Sequence, residues 1–432
     1  MKLLIKNGLV IDPANNVNEI MNILIEDEII VKTHAAADEA ADKVIDAEGL
    51  VVMPGFVDLH VHFRDPGLTY KETIETGSMA AAHGGVTSVC TMPNTKPVVD
   101  DAEGIRYAIN EGRKYGYTNV LPVGAVTYGQ EGKELTDIKA MKEAGAIALS
   151  EDGKSVMDIL LYQKAMKVAA ENDILIMAHC EDKDLVNGGV INAGKKQEEL
   201  GLKGITNSVE DVITARDIFL ADEAGARLHL CHCSTKGAVE LMRMAKRNGM
   251  KVSAEVCPHH FVMCDDDIPC NDAMYKMNPP LRSKEDVQAL IEGLKDGTME
   301  VISTDHAPHG TEEKQAGFEK APFGIVGIET SFALSYTKLV ETGVLTLSQL
   351  VEKMSVNPSK IIGIDRGSLA VGKVADICIA DINNEYEINP DEFYSLGTNM
   401  PFAGWKVKGK VIHTVLGGRV VLEDGLIVLP EE

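Results

Sequence analysis

Two histidines close a stretch that otherwise has the character of a buried strand. Phe56, Leu59 and Val61 are apolar, and His60 and His62 stand on either side of Val61. Because residues two apart in a strand point to the same face, both imidazoles can bind one metal ion. Two incidental histidines are the other interpretation, since histidine is also a common polar residue. The rest of the chain decides between the two.

Residues of metal-ligand type also follow four later segments that have the pattern of strands. Their mixture of imidazole and carboxylate suits zinc, and manganese, cobalt and iron accept similar ligands. We expect two ions, each held by its own histidines and joined by a bridging carboxylate. The expected ligands are His60, His62 and Asp305 for the first ion, His179 and His232 for the second, and Asp152 as the bridge.

Hydrolysis is the chemistry that such a pair of ions supports. Two close metal ions acidify a water molecule that they share, which gives a hydroxide nucleophile at neutral pH. Asp305 is then placed to take the proton of that hydroxide and to deliver it to a leaving nitrogen. We therefore expect Asp305 to be the catalytic residue as well as a metal ligand.

The elements that must position these residues alternate between strands and helices. Counting from Phe56, eight strand–helix units follow one another, which is the pattern of a (β/α)8 TIM barrel. The carboxyl ends of barrel strands meet at one rim, and the residues of ligand type follow such ends. Their number at one rim makes a purely structural interpretation of the set improbable.

The two ends of the chain have a different pattern, with short strands and few helical segments. A hairpin is expected at Asn7-Gly8, because apolar runs lie on both sides of that dipeptide. We predict an α/β protein in which both ends build one small β-sandwich beside the barrel. The predicted domains are residues 1–54 and 365–432 for the two parts of the sandwich, and 55–364 for the metallo-hydrolase barrel.

Composition excludes several classes of partner. The 432 residues contain 42 basic and 66 acidic side chains, a formal net charge of -24. This charge argues against nucleic-acid binding and against adsorption to an anionic membrane. No apolar run is long enough to span a bilayer. The 8 cysteines form no CxxC pair, and with no secretion signal they predict packing thiols in a cytoplasmic protein.

The motifs around these residues resemble those of bacterial class I dihydroorotases, which belong to the amidohydrolase superfamily. The resemblance covers nearly the whole chain, and its most specific motifs are HxHFRDPG, MPNT and DHAPH, at 60–67, 92–95 and 305–309. It implies the reversible cyclisation of N-carbamoyl-L-aspartate to L-dihydroorotate in pyrimidine synthesis, with zinc as the metal. It also implies a small-molecule substrate, a homodimer, and aspartate carbamoyltransferase as a candidate partner.

Chemistry and resemblance together nominate the residues that would hold this substrate. Dihydroorotate carries a carboxylate, and Arg64 offers a planar fork that binds a carboxylate at two points. The segment Gly310–Gly324 follows Asp305 and is polar, which is typical of a mobile lid. The nominated substrate residues are His62, Arg64, Asn94, Asn278 and His309, and the resemblance adds backbone groups at Phe323 and Gly324.

Three alternatives stay open at this point. Many members of the superfamily bridge their metals with a carboxylated lysine, and Lys154 lies two residues after Asp152. The resemblance favours Asp152 as the bridge. A hydantoinase, dihydropyrimidinase or allantoinase would share the barrel and the histidines, but its neutral substrate would leave Arg64 without a carboxylate. A non-catalytic scaffold for aspartate carbamoyltransferase would be expected to lack the ligand histidines.

Overall fold

The computed structural model describes residues 1–429. Its strands, in chain order, are β1 (Lys2–Asp12), β2 (Val17–Glu26), β3 (Ile29–Thr33), β4 (Lys43–Asp46), β5 (Val51–Pro54), β6 (Phe56–Val61), β7 (Val86–Thr91), β8 (Asn119–Ala125), β9 (Ala148–Ser150), β10 (Leu175–Ala178), β11 (Ile191–Asn192), β12 (Gly204–Ile205), β13 (Leu228–Leu230), β14 (Val252–Val256), β15 (Val301–Ile302), β16 (Ile377–Glu387), β17 (Lys406–Leu416), β18 (Arg419–Glu423) and β19 (Leu426–Ile427).

The α-helices are α1 (Ile74–His83), α2 (Ala102–Tyr115), α3 (Ile138–Ala144), α4 (Ile159–Glu171), α5 (Lys183–Val186), α6 (Lys195–Leu200), α7 (Ser208–Ala224), α8 (Lys236–Arg247), α9 (Pro258–Val262), α10 (Lys284–Asp296), α11 (Thr311–Lys314), α12 (Gly317–Lys320), α13 (Ser331–Ser335), α14 (Leu347–Val351) and α15 (Asn357–Ile362). Short 3-10 turns and two π-helical segments, Tyr336–Val340 and Glu352–Val356, complete the helical structure. The π-helical segments continue α13 and α14 without a break.

Eight parallel strands form the predicted barrel. Their order is β6-β7-β8-β9-β10-β13-β14-β15, so that each strand pairs with the barrel strand before it in the chain. A parallel bridge between Val61 and His306 joins the last strand region to the first, and the His62 amide donates to the carbonyl of His306 at 2.8 Å. The (β/α)8 architecture is therefore confirmed, and the carboxyl ends of its strands share one rim.

The barrel helices begin where the sequence supplies a capping side chain. The side chain of Asp101 accepts a hydrogen bond from the first turn of α2, and Thr235 does the same for α8. Such caps satisfy backbone amides that have no partner inside the helix. Gly116 ends α2 with a φ of 65°, a left-handed conformation that costs glycine little. These local signals explain why the helices begin and end at these residues.

Both chain ends contribute to a second, nine-stranded sheet. Its order is β19-β18-β17-β16-β5-β1-β2-β3, and β4 pairs with β1. Side chains such as Ile5, Ile23 and Ile377 form an apolar core that is separate from the barrel core. The predicted association of the two ends is confirmed, whereas the residue bounds of the predicted domains stay a prediction.

The hairpin that was expected at Asn7-Gly8 is wrong. Strand β1 continues through these residues, and a register shift between Ile5 and Gly8 absorbs the left-handed φ of 64° at Asn7. A Cβ atom on Gly8 would lie 2.5 Å from the Val52 side chain. Gly8 is therefore needed where two strands approach closely. Asn-Gly occurs both in tight turns and in β-bulges, so the dipeptide alone does not distinguish them.

The cysteines pack as predicted. Seven are buried, Cys270 is exposed, and all eight are free thiols. Within residues 1–429, no helix combines the length and the apolar character that crossing a membrane requires.

A buried carboxylate joins the first and last barrel strands. Asp58 accepts hydrogen bonds from the amide of His60 at 3.1 Å, from the amide of Thr304 at 3.1 Å and from the Thr304 hydroxyl at 2.6 Å. Burial raises the pKa of Asp58 to about 6. These bonds hold the backbone beside two predicted metal ligands, His60 and Asp305, in one fixed arrangement.

Replacing Asp58 with alanine is expected to lower the free energy of unfolding by about 2–4 kcal/mol, because three buried donors lose their acceptor. The exposed carboxylate of Glu143 provides the control, and Glu143→Ala should change stability by less than about 0.5 kcal/mol. Urea unfolding followed by circular dichroism measures both values. Equal stability of the two variants would show that the Asp58 bonds do not hold the strands together.

Candidate metal centre

The predicted ligands all lie at the carboxyl rim of the barrel. His60 belongs to β6, and each of the other ligands follows the end of a barrel strand. His232 and Asp305 have φ values of 35° and 48°, which are uncommon for residues other than glycine. Strained backbone of this kind persists where surrounding contacts hold it, and it concentrates at functional sites.

The first predicted group is compact and buried. Asp305 Oδ1 lies 2.9 Å from His62 Nε2 and 3.6 Å from His60 Nε2. One ligand atom from each of the three residues lies within 4.8 Å of the other two. This spacing allows the three atoms to surround a single metal ion.

Asp152 occupies the middle of the complete set. Its Oδ1 lies 3.2 Å from His60 Nε2, 3.6 Å from His179 Nδ1 and 3.8 Å from His232 Nε2. Its Oδ2 lies 3.5 Å from His62 Nε2. Oδ1 thus faces three of the histidines and Oδ2 faces the fourth, so the carboxylate lies between the two predicted histidine pairs, where a bridge between two ions would be needed.

Two of the donor atoms have no hydrogen-bond partner in the described part of the protein, which suits metal coordination. His60 Nε2 and Asp152 Oδ1 are buried and have no hydrogen-bond partner within residues 1–429. Buried polar atoms of native proteins normally have partners, so unpartnered ones that face each other indicate an absent ligand. Burial opposes ionisation of Asp152, but the neighbouring charge of His60 prevails and holds its pKa well below the usual range. The donor set therefore fits a metal ion.

Lys154 does not approach this site. Its side chain is exposed, and Nζ donates to the carbonyl oxygen of Gln130 at 2.9 Å. The Gln130 amide in turn donates to the backbone carbonyl of Asp152 at 3.1 Å. The lysine thus braces the loop that carries Asp152, and Asp152 itself faces the histidines.

Glu255 is the main contributor that sequence reasoning missed. Its Oε1 lies 2.9 Å from His60 Nδ1, and its Oε2 lies 3.0 Å from His229 Nε2. Carboxylates in this position orient a ligand histidine and fix which nitrogen faces the metal. Burial opposes its ionisation, but hydrogen bonds from His229 and His60 hold the pKa of Glu255 far below its usual value. The available signal was a glutamate followed and preceded by apolar residues in strand β14.

Asn94 supports the ligands on the opposite side. Its Oδ1 accepts from His62 Nδ1 at 2.8 Å, and its Nδ2 donates to Asp152 Oδ2 at 3.0 Å. The predicted role of Asn94 was a contact to the substrate carboxylate. The structure adds a positioning role toward two metal ligands, since both ends of the amide are engaged.

The predicted substrate residues line one cavity of about 200 Å³ beside the metal ligands. Asn278 faces this cavity while its amide donates to Glu181. The residues along its wall are His62, Arg64, Asn94, Asp152, Gly153, His179, His232, Asn278, Asp305, Ala307, His309, Phe323 and Gly324. All the nominated substrate residues are among them.

The segment Gly310–Gly324 is more structured than the predicted lid. It contains the short helices α11 and α12, and the side chain of Phe318 is buried. Lys314 is also buried, and its Nζ donates to the carbonyls of Lys276, Pro322 and Gly324. A lysine inside such a carbonyl cluster fixes the backbone that lines the cavity.

Sequence comparisons identify proteins that resemble this chain over its whole length. A family model described as dihydro-orotase-like matches residues 49–238. A dihydroorotase from Acetivibrio thermocellus is 47% identical over 426 residues, which cover 99% of this chain and 100% of the relative. A dihydroorotase from a Geobacillus species is 50% identical over 429 residues, which cover 98% of this chain and 100% of the relative.

Solved structures with the same fold come from hydantoinases. The L-hydantoinase (dihydropyrimidinase) from Arthrobacter aurescens aligns with a TM-score of 0.88 at 27% identity, covering 99% of this chain and 97% of that chain. The D-hydantoinase (dihydropyrimidinase) from a Thermus species aligns with a TM-score of 0.86 at 27% identity and the same coverage. The amidohydrolase fold is thus shared with the hydantoinases, but the sequence of this chain is much more similar to the dihydroorotases. On the identity of 47% and 50% to full-length relatives, the chain belongs to the dihydroorotase family.

Proposed function

We propose that this protein is a class I dihydroorotase that interconverts N-carbamoyl-L-aspartate and L-dihydroorotate in pyrimidine synthesis and uses two zinc ions. The observation that carries the proposal is a buried arginine in the same cavity as the metal-binding site. Hydrolysis of a cyclic amide needs the metal ligands, whereas recognition of dihydroorotate in particular needs a group for its carboxylate. The cavity contains both.

Arg64 is a buried cation that lacks an acidic partner. Its residue is 9% exposed, and no carboxylate oxygen of residues 1–429 lies within 4.0 Å of its guanidinium. Its Nε donates to the carbonyl of Pro308 at 3.3 Å. Burying a charge without a partner is costly, so an anionic ligand would repay part of that cost. The ring of a hydantoin or dihydrouracil carries no carboxylate for this purpose.

The reaction places separate demands on the residues of the chain. Bound zinc ions would polarise the ring carbonyl and acidify a water molecule. Asp305 would accept a proton from the attacking water and pass it to the ring nitrogen as the amide bond breaks. Burial opposes ionisation of Asp305, but the charge of His60 and a hydrogen bond from His62 lower its pKa, so the carboxylate is ready to accept. In the biosynthetic direction, Asp305 would return the proton.

The remaining residues would bind the substrate and orient its ring toward Asp305. Arg64 would bind the carboxylate, with Asn94 as a further donor. His309, predicted as another donor, would line this end of the site beside Arg64. Asn278 and the backbone at Phe323 and Gly324 would contact the ring. The support for these roles is that all of these residues line the same cavity as Asp305, His62, Asp152, His179 and His232.

The organisation and surroundings of the protein belong to the same proposal. We infer a barrel domain at residues 55–364 and a β domain formed by 1–54 and 365–432. A cytoplasmic location agrees with eight free thiols. A homodimer and an association with aspartate carbamoyltransferase follow from the family resemblance.

The purified protein should hydrolyse L-dihydroorotate far faster than dihydrouracil, hydantoin or allantoin. Removal of metal with a chelator should abolish the activity, and zinc should restore it at about two ions per chain. Rates for all four compounds and metal content are measured on one batch. Faster turnover of the neutral rings would assign the protein to the hydantoinase branch. Inactivity of the zinc-loaded protein on all four would favour the scaffold alternative.

Substitution of Asp305 with asparagine is expected to lower kcat about 10²–10⁴-fold, because the amide keeps the shape of the side chain but accepts no proton. The fold and most of the metal content should remain, which circular dichroism and metal analysis test. Near-normal turnover by a metal-loaded variant would exclude Asp305 as the general base.

Loss of the Arg64 charge should act on binding. Arg64→Met is expected to raise KM for dihydroorotate at least about tenfold, because a charge-assisted hydrogen bond contributes more than a neutral one. Arg113→Met is the control, since Arg113 is exposed on α2. Steady-state kinetics decide the question, and an unchanged KM in Arg64→Met would remove the main support for a carboxylate-bearing substrate.

A further inference from the structure

Lys71 connects the cavity wall near Arg64 to the segment Gly310–Gly324. In the chain it follows Arg64 and precedes helix α1, and its side chain is only 11% exposed. Its Nζ lies 3.1 Å from His309 Nδ1 and 3.0 Å from Glu313 Oε1. The ammonium group therefore contacts both a residue of the cavity wall and a carboxylate of α11.

The contact with Lys71 determines which nitrogen of His309 carries the proton. An ammonium group has three hydrogens and no lone pair, so it can only donate a hydrogen bond. His309 Nδ1 must therefore accept, and the ring proton of the neutral imidazole is on Nε2. That proton points to the carbonyl of Phe323, which lies 2.8 Å from Nε2. The two contacts require the same tautomer.

This tautomer has a consequence for Arg64. One terminal nitrogen of its guanidinium lies 3.3 Å from the same His309 Nε2. Because Nε2 and the guanidinium nitrogen both carry hydrogens, neither can accept from the other. If the ring proton were on Nδ1, Nε2 would instead accept from Arg64 and would face the Phe323 carbonyl with a lone pair. Lys71 and the Phe323 carbonyl together thus keep the guanidinium available and prevent it from donating to His309.

We propose that Lys71 is a positioning residue, which holds His309 as the Nε2–H tautomer so that Arg64 stays available to the substrate carboxylate and Phe323 stays anchored. This inference rests on the proposed function for the identity of the substrate. It assigns to Lys71 no contact with the substrate itself.

The charges around His309 favour the neutral ring. Burial, and then the positive charges of Arg64, Lys71 and Lys314, lower the pKa of His309 to about 2. The opposing carboxylate of Glu313 lies 3.9 Å from Nδ1 and is already paired with Lys71. What remains open is which of the two ring nitrogens carries the single proton, and the contact with Lys71 favours Nε2.

Glu313 offers a competing explanation for any effect of Lys71. It pairs with Lys71 at 3.0 Å and accepts from the Tyr70 hydroxyl at 3.1 Å, so Lys71 also tethers α11 to the barrel. Glu313→Gln weakens this tether while leaving the ammonium group beside His309. It is the matched variant that separates tethering from positioning.

The first test is nitrogen NMR of protein labelled with ¹⁵N-histidine, in which the two ring nitrogens of each neutral imidazole are distinguished as protonated or unprotonated. The spectrum of His309→Gln identifies the His309 signals. The wild-type protein should carry the proton on Nε2, and Lys71→Met should show a mixture of tautomers or Nδ1–H. A wild-type ring protonated on Nδ1 would overturn the proposal, whether or not the variant folds.

The second test is steady-state kinetics on dihydroorotate. Lys71→Met should raise KM about tenfold with kcat within about twofold, because the guanidinium is diverted to His309 and the chemical step is not touched. Lys71→Arg, which retains charged donors, should restore most of the affinity, and Glu313→Gln should stay near the wild-type KM. An effect of Glu313→Gln as large as that of Lys71→Met would overturn the positioning role in favour of tethering.

The two tests separate this inference from the proposed function. Absence of dihydroorotate turnover in the metal-loaded wild-type protein would reject the proposed function, while the tautomer measured by NMR would still support or overturn the contact between Lys71 and His309. Normal turnover with an unchanged tautomer and KM in Lys71→Met would overturn the inference alone.

Discussion

The burial of the Asp152 carboxylate among four imidazoles is the interaction on which the rest of the structure depends. Its oxygens lie 3.2 to 3.8 Å from the nearest ring nitrogens of the four histidines, and the residue is 3% exposed. Such a cluster is costly unless a cation or a strict hydrogen-bond arrangement satisfies it. The barrel provides the rigid strand ends that bring five separate segments to this one point.

Support for the cluster comes from polar groups that contact the ligand residues from behind or beside them. Glu255 holds the far nitrogen of His60, Asn94 holds that of His62, and Asp58 fixes the backbone between His60 and Thr304. Each is a short polar side chain whose partners come from different strands. Orientation of ligands by such contacts reduces the reorganisation that binding and catalysis would otherwise require.

On the substrate side of the cavity, the main polar groups are cations. A buried arginine without an acidic partner is stable only because carbonyl groups and the surrounding field offset part of its desolvation. The neighbouring lysines hold other groups in place. Lys71 contacts His309, and Lys314 donates to two carbonyls of the segment Gly310–Gly324 and to the carbonyl of Lys276. Positive charge is therefore concentrated locally in a chain whose net charge is -24, which suits an anionic ligand.

The sequence by itself determined the barrel and the histidines and aspartates that follow its strand ends, because hydrophobic periodicity and HxH spacing are local signals. It did not determine the course of β1, since Asn7-Gly8 has the same local chemistry in a turn and in a bulge. Only the tertiary structure decided that Glu255 meets His60, that Asn94 is engaged by two ligands, and that Lys71 reaches His309. Those contacts join residues 32 to 238 positions apart, and their geometry depends on how the barrel closes.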